Sequence, residues 1–259
     1  MNASNDKPLA GRHAVVTGAG RGIGAAIADR LHELGAQLTL MDIAAEHLKV
    51  KCDELPGARS FTVDATDAAA VGQAFSAAAG QSGPVAILVN NVGVGASAPF
   101  TKIDNDNWLW MMNINLNSVF YCTSQVLPAM IENGWGRIIN MGSTAGVKGF
   151  AYITAYCTAK HGVIGLTRSL AMETARSGVT VNAVCPGYAN TDLTQKTINN
   201  IMEKTGMTRE KAEDSLKANN PQRRLIEPYE VANTIAWLCL PGSESITGQS
   251  IAVAGGEIM

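Results

Sequence analysis

The sequence is poor in features that mark several specialised classes of protein. Of 259 residues, 5% are aromatic and 16% are charged, and 20 Lys+Arg against 22 Asp+Glu leave no basic excess. Proteins that bind nucleic acid usually carry such an excess on one face, so the charge balance argues against that class. No apolar run approaches the roughly 18–20 residues that a membrane-spanning helix needs, so we expect no membrane partner. Few aromatics and 26 glycines fit close helix–strand packing better than a β-sandwich.

Patterns typical of disulfides, metal sites and targeting segments are also missing. Five cysteines are scattered without a C-x-x-C pair, and an odd count is simplest in a reduced, cytoplasmic chain. The four histidines lack metal-ligand spacing, so no metal is predicted. Residues 1–8 are polar and lack the apolar segment of a signal peptide. We expect them to form a short flexible leader.

Short apolar β-branched runs alternate with longer segments of helical periodicity. The runs predict strands over 13–17, 37–41, 60–63, 85–89, 137–141, 180–184 and 250–253. The periodic segments predict helices over about 23–34, 44–52, 67–79, 107–130, 155–176, 194–218 and 230–240. Continuous apolar strands that alternate with helices indicate a parallel sheet covered on both faces. We therefore predict an α/β fold, a single-domain doubly wound parallel sheet of about seven strands over residues 9–259.

A glycine-rich turn, TGAGRGIG at 17–24, stands between the first predicted strand and the first helix. Such a turn lets the backbone approach a pyrophosphate at the helix N-terminus, where free N–H groups and the helix dipole favour anions. Side chains at Gly18, Gly22 or Gly24 would push the phosphate away or separate the helix from the strand. Taken alone, the turn also fits an ordinary tight connection.

Asp42 ends the second predicted strand, 24 residues after Gly18. A carboxylate there can accept hydrogen bonds from the adenosine ribose hydroxyls and would repel a 2′-phosphate, which favours NAD over NADP. Arg21 points weakly the other way, since a basic side chain in the turn could pair with a 2′-phosphate. The alternative for Asp42 is a solvated carboxylate at a strand end.

Tyr156 and Lys160 open a predicted helix and lie four residues apart, on one helical face. A neighbouring ammonium stabilises phenolate and lowers a tyrosine pKa from about 10, which makes tyrosine a usable acid/base near neutral pH. The pair alone is common on protein surfaces. Here it follows Ser143 by 13 residues, and Ser143 stands just beyond a predicted strand. Because α/β sheets bind ligands at the carboxyl ends of their strands, the serine hydroxyl could hold a substrate oxygen beside the tyrosine.

With these motifs in this order, the sequence resembles the short-chain dehydrogenase/reductase family over nearly all of residues 9–259. Further matching segments are Asn90-Asn91-Val92-Gly93, Asn115, Asn140-Met141-Gly142-Ser143, Pro186-Gly187, Thr191 and Ile246-Thr247-Gly248-Gln249. Val92 departs from the family's usual alanine, and we expect only a packing change there. Bacterial 3-oxoacyl reductases and 3-hydroxyacyl dehydrogenases are as similar as any branch.

The resemblance implies a Rossmann-like, dinucleotide-binding catalytic domain with a catalytic tetrad. Its members are Asn115, Ser143, Tyr156 and Lys160. Tyr156 would exchange a proton with the substrate oxygen that Ser143 holds, and Lys160 would bind the nicotinamide ribose. Asn115 looks like the asparagine that kinks a helix and holds a water of the proton relay. Two neighbouring asparagines compete for that role, at 113 and 117, and Asn115 fits the register best.

The resemblance also implies which residues contact the cofactor. They are Gly18, Arg21, Gly22, Ile23, Gly24, Asp42, Asp64, Ala65, Asn91, Gly93, Tyr156, Lys160, Pro186, Gly187, Ala189 and Thr191. Asp64 and Ala65 would meet adenine, and the 186–191 segment would meet the nicotinamide. Residues from about 189 to 220 are expected to form a mobile lid over the substrate.

The expected reaction is hydride transfer between NAD(H) and a secondary alcohol or ketone, with a 3-hydroxyacyl thioester as one candidate substrate. Mostly small or apolar pocket candidates suit a neutral or acyl substrate: Val94, Gly95, Thr144, Ala145, Tyr152, Ile153 and Tyr188. Three arginines could meet thioester phosphates, although arginines at such positions are usually on the surface: Arg209, Arg223 and Arg224.

The main alternative is an NADP-dependent ketone reductase. A second is a non-catalytic dinucleotide sensor, although such proteins typically lack the tyrosine or the lysine. A third is a sugar-nucleotide epimerase, although these enzymes usually carry a larger C-terminal domain. The helices starting near 107 and 155 resemble the family's subunit interface, so a homotetramer is expected and a dimer is the alternative.

Overall fold

Seven strands form one parallel sheet in the computed structural model, which describes residues 7–258. Residues 1–6, most of the predicted leader, lie outside the described residues. Near the end of the predicted leader, the carbonyl oxygen of Lys7 accepts a hydrogen bond of 2.8 Å from the Ala10 amide. Leu9, which follows the leader, is buried in the core.

The sheet has the order expected of a doubly wound fold. The strands are β1 (His13–Thr17), β2 (Gln37–Asp42), β3 (Arg59–Thr62), β4 (Ile87–Asn90), β5 (Gly136–Met141), β6 (Val179–Pro186) and β7 (Ser250–Val253). Their order is β3-β2-β1-β4-β5-β6-β7, and every neighbouring pair is parallel. The order in which the strands are added reverses between β1 and β4: β2 and β3 lie on one side of β1, and β4 to β7 lie on the other. Doubly wound sheets bind ligands at such a reversal point. The predicted parallel sheet of about seven strands is confirmed.

Helices connect the strands. They are α1 (Gly22–Glu33), α2 (Ala45–Asp53), α3 (Ala68–Ser82), α4 (Asn105–Met112), α5 (Ser118–Glu132), α6 (Thr154–Glu173), α7 (Asp192–Thr205), α8 (Arg209–Lys217) and α9 (Pro228–Cys239). Across residues 7–258, none of these helices combines the length and the apolar character that crossing a membrane requires.

Two predicted helices are each divided in the structure. The 107–130 helix is α4 and α5, separated by a π-helical turn over Asn113–Asn117. The 194–218 helix is α7 and α8, because Gly206 ends α7 in the left-handed region (φ +71°) and the Thr208 side chain caps the start of α8. A residue with positive φ stops a right-handed helix, and glycine adopts it without steric cost.

The sheet is buried on both faces. Successive residues of β1 point to opposite sides: Val16 packs in a layer with α1 and α9, and Val15 packs in a layer with α3 and α5. All five residues of β1 are buried, as are those of β4, β5 and β6. Continuous burial on both faces explains why these strands read as unbroken apolar runs in the sequence.

A buried polar network ties the central strands to the helices behind them. The Asn90 side-chain amide donates to the side-chain oxygens of Asn140 (2.9 Å) and Thr123 (3.1 Å). The Asn140 amide in turn donates to the Thr167 hydroxyl (2.9 Å) on α6. All four side chains are buried. The network therefore fixes α5 and α6 against the carboxyl ends of β4 and β5.

Replacing Thr167 by valine tests this network. Thr167→Val keeps the side-chain shape and leaves a buried Asn140 donor without its partner, so the free energy of unfolding should fall by about 1–3 kcal/mol. Thr158→Val is a matched control, since Thr158 makes the same bond to the carbonyl four residues earlier on α6 but is exposed. It should change the free energy by less than about 0.5 kcal/mol in urea unfolding. Equal losses in both variants would contradict a special role for the network.

Candidate active site

The glycine-rich turn exposes backbone at the start of α1. Gly18 (φ +62°) and Gly22 (φ +58°) adopt left-handed conformations, and a Cβ at Gly24 would collide with the carbonyl oxygen of Gly18. The Asn91 side-chain amide donates to the carbonyl oxygens of Thr17 and Gly18, both at 3.0 Å, and so holds the turn against the end of β4. Among the described residues no side chain caps α1. Its first N–H groups are therefore positioned to bind an anion.

Asp42 is held directly against this turn. One carboxylate oxygen accepts from the Gly20 amide and the other from the Ala44 amide, each at 2.9 Å. Asp42 also lines a small cavity of about 10 Å³ together with Ala65 and Val92. Asp64 is exposed, and its carboxylate accepts from the Thr66 amide and hydroxyl at 2.8 Å, which shapes the turn after β3. The turn, the start of α1 and the Asp42 carboxylate fit the pyrophosphate and ribose of a dinucleotide.

Lys160 lies at the centre of the second part of the site. Its side chain is 2% exposed, and its Nζ donates to the carbonyl oxygen of Met141 at 2.8 Å. The same Nζ lies 5.7 Å from the centroid of the Tyr156 ring. A Cβ at Gly93 would come within 2.9 Å of Asn115 Oδ1 and 3.2 Å of Lys160 Nζ. A side chain at position 93 would therefore force Asn115 or Lys160 to move.

Asn115 lies inside the π-helical turn and is fully buried. Its amide donates to the carbonyl oxygen of Met111 (3.1 Å), and its Oδ1 accepts from the Val94 amide (3.0 Å). A side chain that bonds a helix carbonyl four residues earlier competes with the backbone ladder, which accounts for the break between α4 and α5. Asn113 and Asn117 bond Thr66 and each other instead. Of the three asparagines, Asn115 is the one that the structure brings to Lys160.

Ser143 follows β5 and starts a short 3₁₀ turn over Thr144–Gly146. Its Oγ accepts from the Ala145 amide at 3.1 Å. The Ser143 hydroxyl lies close enough to the Tyr156 hydroxyl to lower the pKa of that tyrosine, against the larger raising effect of burial. Ser143 and Tyr156 therefore present two hydroxyls together, as binding and protonating a single substrate oxygen requires.

Burial dominates the electrostatics of the tetrad. It raises the pKa of Tyr156 to about 12, against the smaller lowering effect of the Ser143 hydrogen bond, and it lowers the pKa of Lys160 to about 8. The prediction that Lys160 lowers the pKa of Tyr156 is thus wrong for the chain by itself. Desolvation of the phenol dominates the shift, and the Lys160 ammonium is directed at the Met141 carbonyl oxygen. Tyr156 holds its proton at neutral pH and is an acid in this state.

The chain after β6 connects the cofactor end to the predicted lid. Pro186 ends β6, and the Gly187 amide donates to the Val253 carbonyl oxygen at 3.1 Å. Ala189 pairs with Ile226 in an isolated bridge, and the Thr191 methyl group lies beside Gly22. The segment from 186 to 191 thereby runs from the sheet to the glycine turn and leads directly into α7.

The arginines of the glycine-rich turn and the predicted lid pair mainly with other side chains of this chain. Arg21 lies 3.6 Å from Asp192 on α7, so it faces the lid. Arg224 forms a two-pronged pair with Glu230 at 2.6 and 2.7 Å, and Arg209 bonds Gln195 and Asn199. Two of the three arginines considered for thioester phosphates are thus engaged by other side chains. Within residues 7–258 no group of three His, Cys, Asp or Glu side chains is arranged as a metal site.

No sequence motif singles out Lys148 or Glu257. The Glu257 carboxylate is 1% exposed, lies 3.5 Å from the Lys148 Nζ, and abuts Gly187 where a Cβ would stand. Burial raises the pKa of Tyr188, and the Glu257 charge raises it further. Since 109 residues separate the pair, no motif or periodicity could have joined them.

Comparison with known proteins gives one consistent result. A family profile described as short chain dehydrogenase matches residues 12–201. The 3-oxoacyl-(acyl-carrier-protein) reductase FabG of Vibrio cholerae is 36% identical over 252 residues, which cover 97% of this chain and 99% of that protein. The D-beta-hydroxybutyrate dehydrogenase of Rhizobium meliloti is 35% identical over 250 residues, 94% of this chain and 97% of that one. A solved point variant of actinorhodin polyketide ketoreductase with NADPH superposes with a TM-score of 0.92, at 35% identity and 99% coverage of both chains.

Proposed function

The chain belongs to the short-chain dehydrogenase family, and we propose that it transfers a hydride between NAD(H) and a secondary alcohol or ketone. The observation that carries the proposal is the meeting of four side chains at the carboxyl edge of the sheet, beside a turn shaped for a dinucleotide. They are Asn115, Ser143, Tyr156 and Lys160. Residues 9–259 would form one catalytic domain, with a lid over about 189–220.

Each member of the tetrad has a role that its surroundings support. Ser143 holds the substrate oxygen, and Tyr156 exchanges a proton with it; burial raises the pKa of Tyr156 and keeps the phenol protonated in the chain by itself. Lys160 binds the nicotinamide ribose, and Asn115 holds a water that links the site to solvent. A bound nicotinamide supplies or accepts the hydride at the substrate carbon. The cofactor-contacting residues are those named from the family resemblance.

Asp42 supports NAD as the cofactor. Its carboxylate is fixed against the Gly20 amide, so a 2′-phosphate brought to this edge of the turn would meet a negative charge. Arg21, the candidate partner of such a phosphate, faces Asp192 instead. The second candidate function is NADP-dependent ketone reduction, which is favoured by the NADPH in the solved ketoreductase.

The substrate we propose is a 3-oxoacyl or 3-hydroxyacyl thioester. The named relatives act, by their names, on a 3-oxoacyl group and on hydroxybutyrate. Mostly small or apolar residues line a cavity between the loop after β4 and the start of α6. A non-catalytic sensor is disfavoured because the whole tetrad is present.

Exposed apolar side chains support a homotetramer as the working assembly, with a dimer as the alternative. Leu109 and Trp110 on α4, Phe120 on α5 and Met172 on α6 are all exposed. Large exposed apolar groups on neighbouring helices are typical of subunit contacts. The five cysteines carry no disulfide, which suits the reducing cytoplasm, where we place the reaction.

Replacing Tyr156 tests the proposed chemistry. Tyr156→Phe removes the acid/base, so kcat for reduction of an acetoacetyl thioester should fall by about 100-fold or more. NADH binding, measured by calorimetry, should remain detectable. Tyr229→Phe is the control, since Tyr229 is exposed on α9, and it should keep the wild-type rate. Wild-type turnover in Tyr156→Phe would refute the assignment.

Replacing Asp42 tests the cofactor preference. Asp42→Ala removes the charge that repels a 2′-phosphate, so the ratio of kcat/KM for NAD to that for NADP should fall by at least about tenfold, equivalent to ~1.4 kcal/mol. Asp106→Ala, a change at an exposed carboxylate on α4, should leave the ratio unchanged. An unchanged ratio in Asp42→Ala would show that the preference has another origin.

A further inference from the structure

Glu257 carries a buried carboxylate outside the tetrad. Its side chain is 1% exposed, and one carboxylate oxygen, Oε1, lies 3.5 Å from the Lys148 Nζ. This Oε1 has no hydrogen-bond donor among the residues that the structure describes. The Lys148 ammonium donates instead to the backbone carbonyl oxygen of Glu257 at 3.2 Å. Charge attraction and one backbone hydrogen bond therefore hold the pair together, across 109 residues of sequence.

Stability alone gives no reason for a pair of this kind. The cost of removing a carboxylate from water can exceed the attraction of its partner, and here the Lys148 side chain is 40% exposed, which weakens that attraction. An apolar side chain at position 257 would fill the same space without the cost of burying a charge. The pair therefore motivates a search for the segments that it holds in place.

The Glu257 side of the pair lies against the segment that follows β6. A Cβ at Gly187 would stand 3.0 Å from Glu257 Oε2 and 3.5 Å from Ala254, so the Gly187 backbone packs directly on this part of the chain. The Gly187 amide also donates to the Val253 carbonyl oxygen at 3.1 Å. By the family resemblance, Pro186 and Gly187 contact the nicotinamide. A displaced Glu257 side chain would therefore free the backbone that borders the nicotinamide.

The Lys148 side of the pair belongs to the loop that begins with Ser143. The Lys148 amide donates to the Thr144 carbonyl oxygen at 3.0 Å, directly after the 3₁₀ turn that Ser143 starts. The Lys148 ammonium lies 4.8 Å from the centroid of the Phe150 ring in the same loop. This loop leads into α6, which carries Tyr156. The ion pair thus joins the loop of the two hydroxyls to the segment assigned to the nicotinamide.

We propose that Glu257 is a positioning residue for the nicotinamide, because its pair with Lys148 fixes the 186–188 segment relative to the turn at Ser143. Hydride transfer needs the donor and acceptor carbons close together and aligned, so a fixed separation of these two segments favours the reacting geometry. The inference rests on the proposed function, since it takes the ligand of the site to be a nicotinamide dinucleotide.

The binding of two nucleotides tests whether Glu257 acts on the nicotinamide end alone. NADH and ADP-ribose share the adenosine, both phosphates and the second ribose, and only NADH carries the nicotinamide. Glu257→Gln keeps the size of the side chain and removes its charge, so calorimetry on the full-length protein should give a roughly tenfold weaker Kd for NADH. The Kd for ADP-ribose should stay unchanged, because the bonds between Asp42 and the glycine-rich turn are untouched.

Variants of Lys148 test whether the two residues act as a pair. Lys148→Met removes the cation and should weaken NADH binding to a similar extent, and Glu257→Gln added to it should cause little further loss. If Lys148→Met folds poorly because its carboxylate is buried unpaired, the double variant, which buries no charge, gives the same test. Lys148→Arg keeps the cation and should bind NADH as the wild type does.

Glu244→Gln is the matched control. Glu244 forms a long-range pair of similar length, 3.7 Å, with Arg137 near the start of β5, at the sheet edge opposite the tetrad. Loss of this pair should change the Kd of neither nucleotide.

Wild-type affinity of Glu257→Gln for NADH would overturn the proposal. Equal losses for NADH and ADP-ribose would overturn it as well, since they would indicate a general structural role. In both cases NADH binding by the wild type would leave the proposed function in place. A wild type that binds neither nucleotide would overturn the proposed function and this inference together.

Discussion

The site is organised around one buried cation. The Lys160 ammonium is almost completely removed from solvent, it bonds the Met141 carbonyl, and no carboxylate in the described part of the chain lies within ion-pair distance of it. Burying a charge without a counterion is costly, and the cost appears as a lowered pKa. Since the unfolded chain binds this proton up to its ordinary pKa, the folded state gains stability as pH rises from about 8 towards 10.5. Below that range the fold carries the full cost of the cation.

The residues that surround Lys160 are arranged to accommodate its buried ammonium group. Gly93 has no side chain because Asn115 and the ammonium occupy the space that a Cβ would need. Asn115 reaches the same place only because a π-helical turn divides α4 from α5. On the other side, the network from Asn90 through Asn140 fixes α6, the helix that carries both Tyr156 and Lys160. The polar residues of the core thus serve to position the chemistry at the sheet edge.

The sequence predicted the fold more fully than the energetics of the candidate site. Strands can be predicted from the sequence because burial on both faces leaves a run of apolar residues, as at 13–17, which matches β1. The glycine-rich turn can be predicted because a backbone that passes close to its neighbours requires residues without side chains. The division of the 107–130 helix has no such pattern, since it depends on Asn115 competing for a helix carbonyl. The direction of the Tyr156 pKa shift depends on depth, which a four-residue spacing cannot report. Lys148 and Glu257 meet only through the folded sheet.

The proposed chemistry of the site depends most on the protonation state of Lys160, which can be observed directly. Carbon-13 labelling of lysine and an NMR pH titration would follow its Cε signal in the folded protein, with Lys160→Met to assign the resonance. Burial without a counterion predicts a pKa of about 8. A Lys160 signal that titrates near the ordinary lysine value of about 10.4 would show that solvent or a counterion stabilises the ammonium, and would contradict the account.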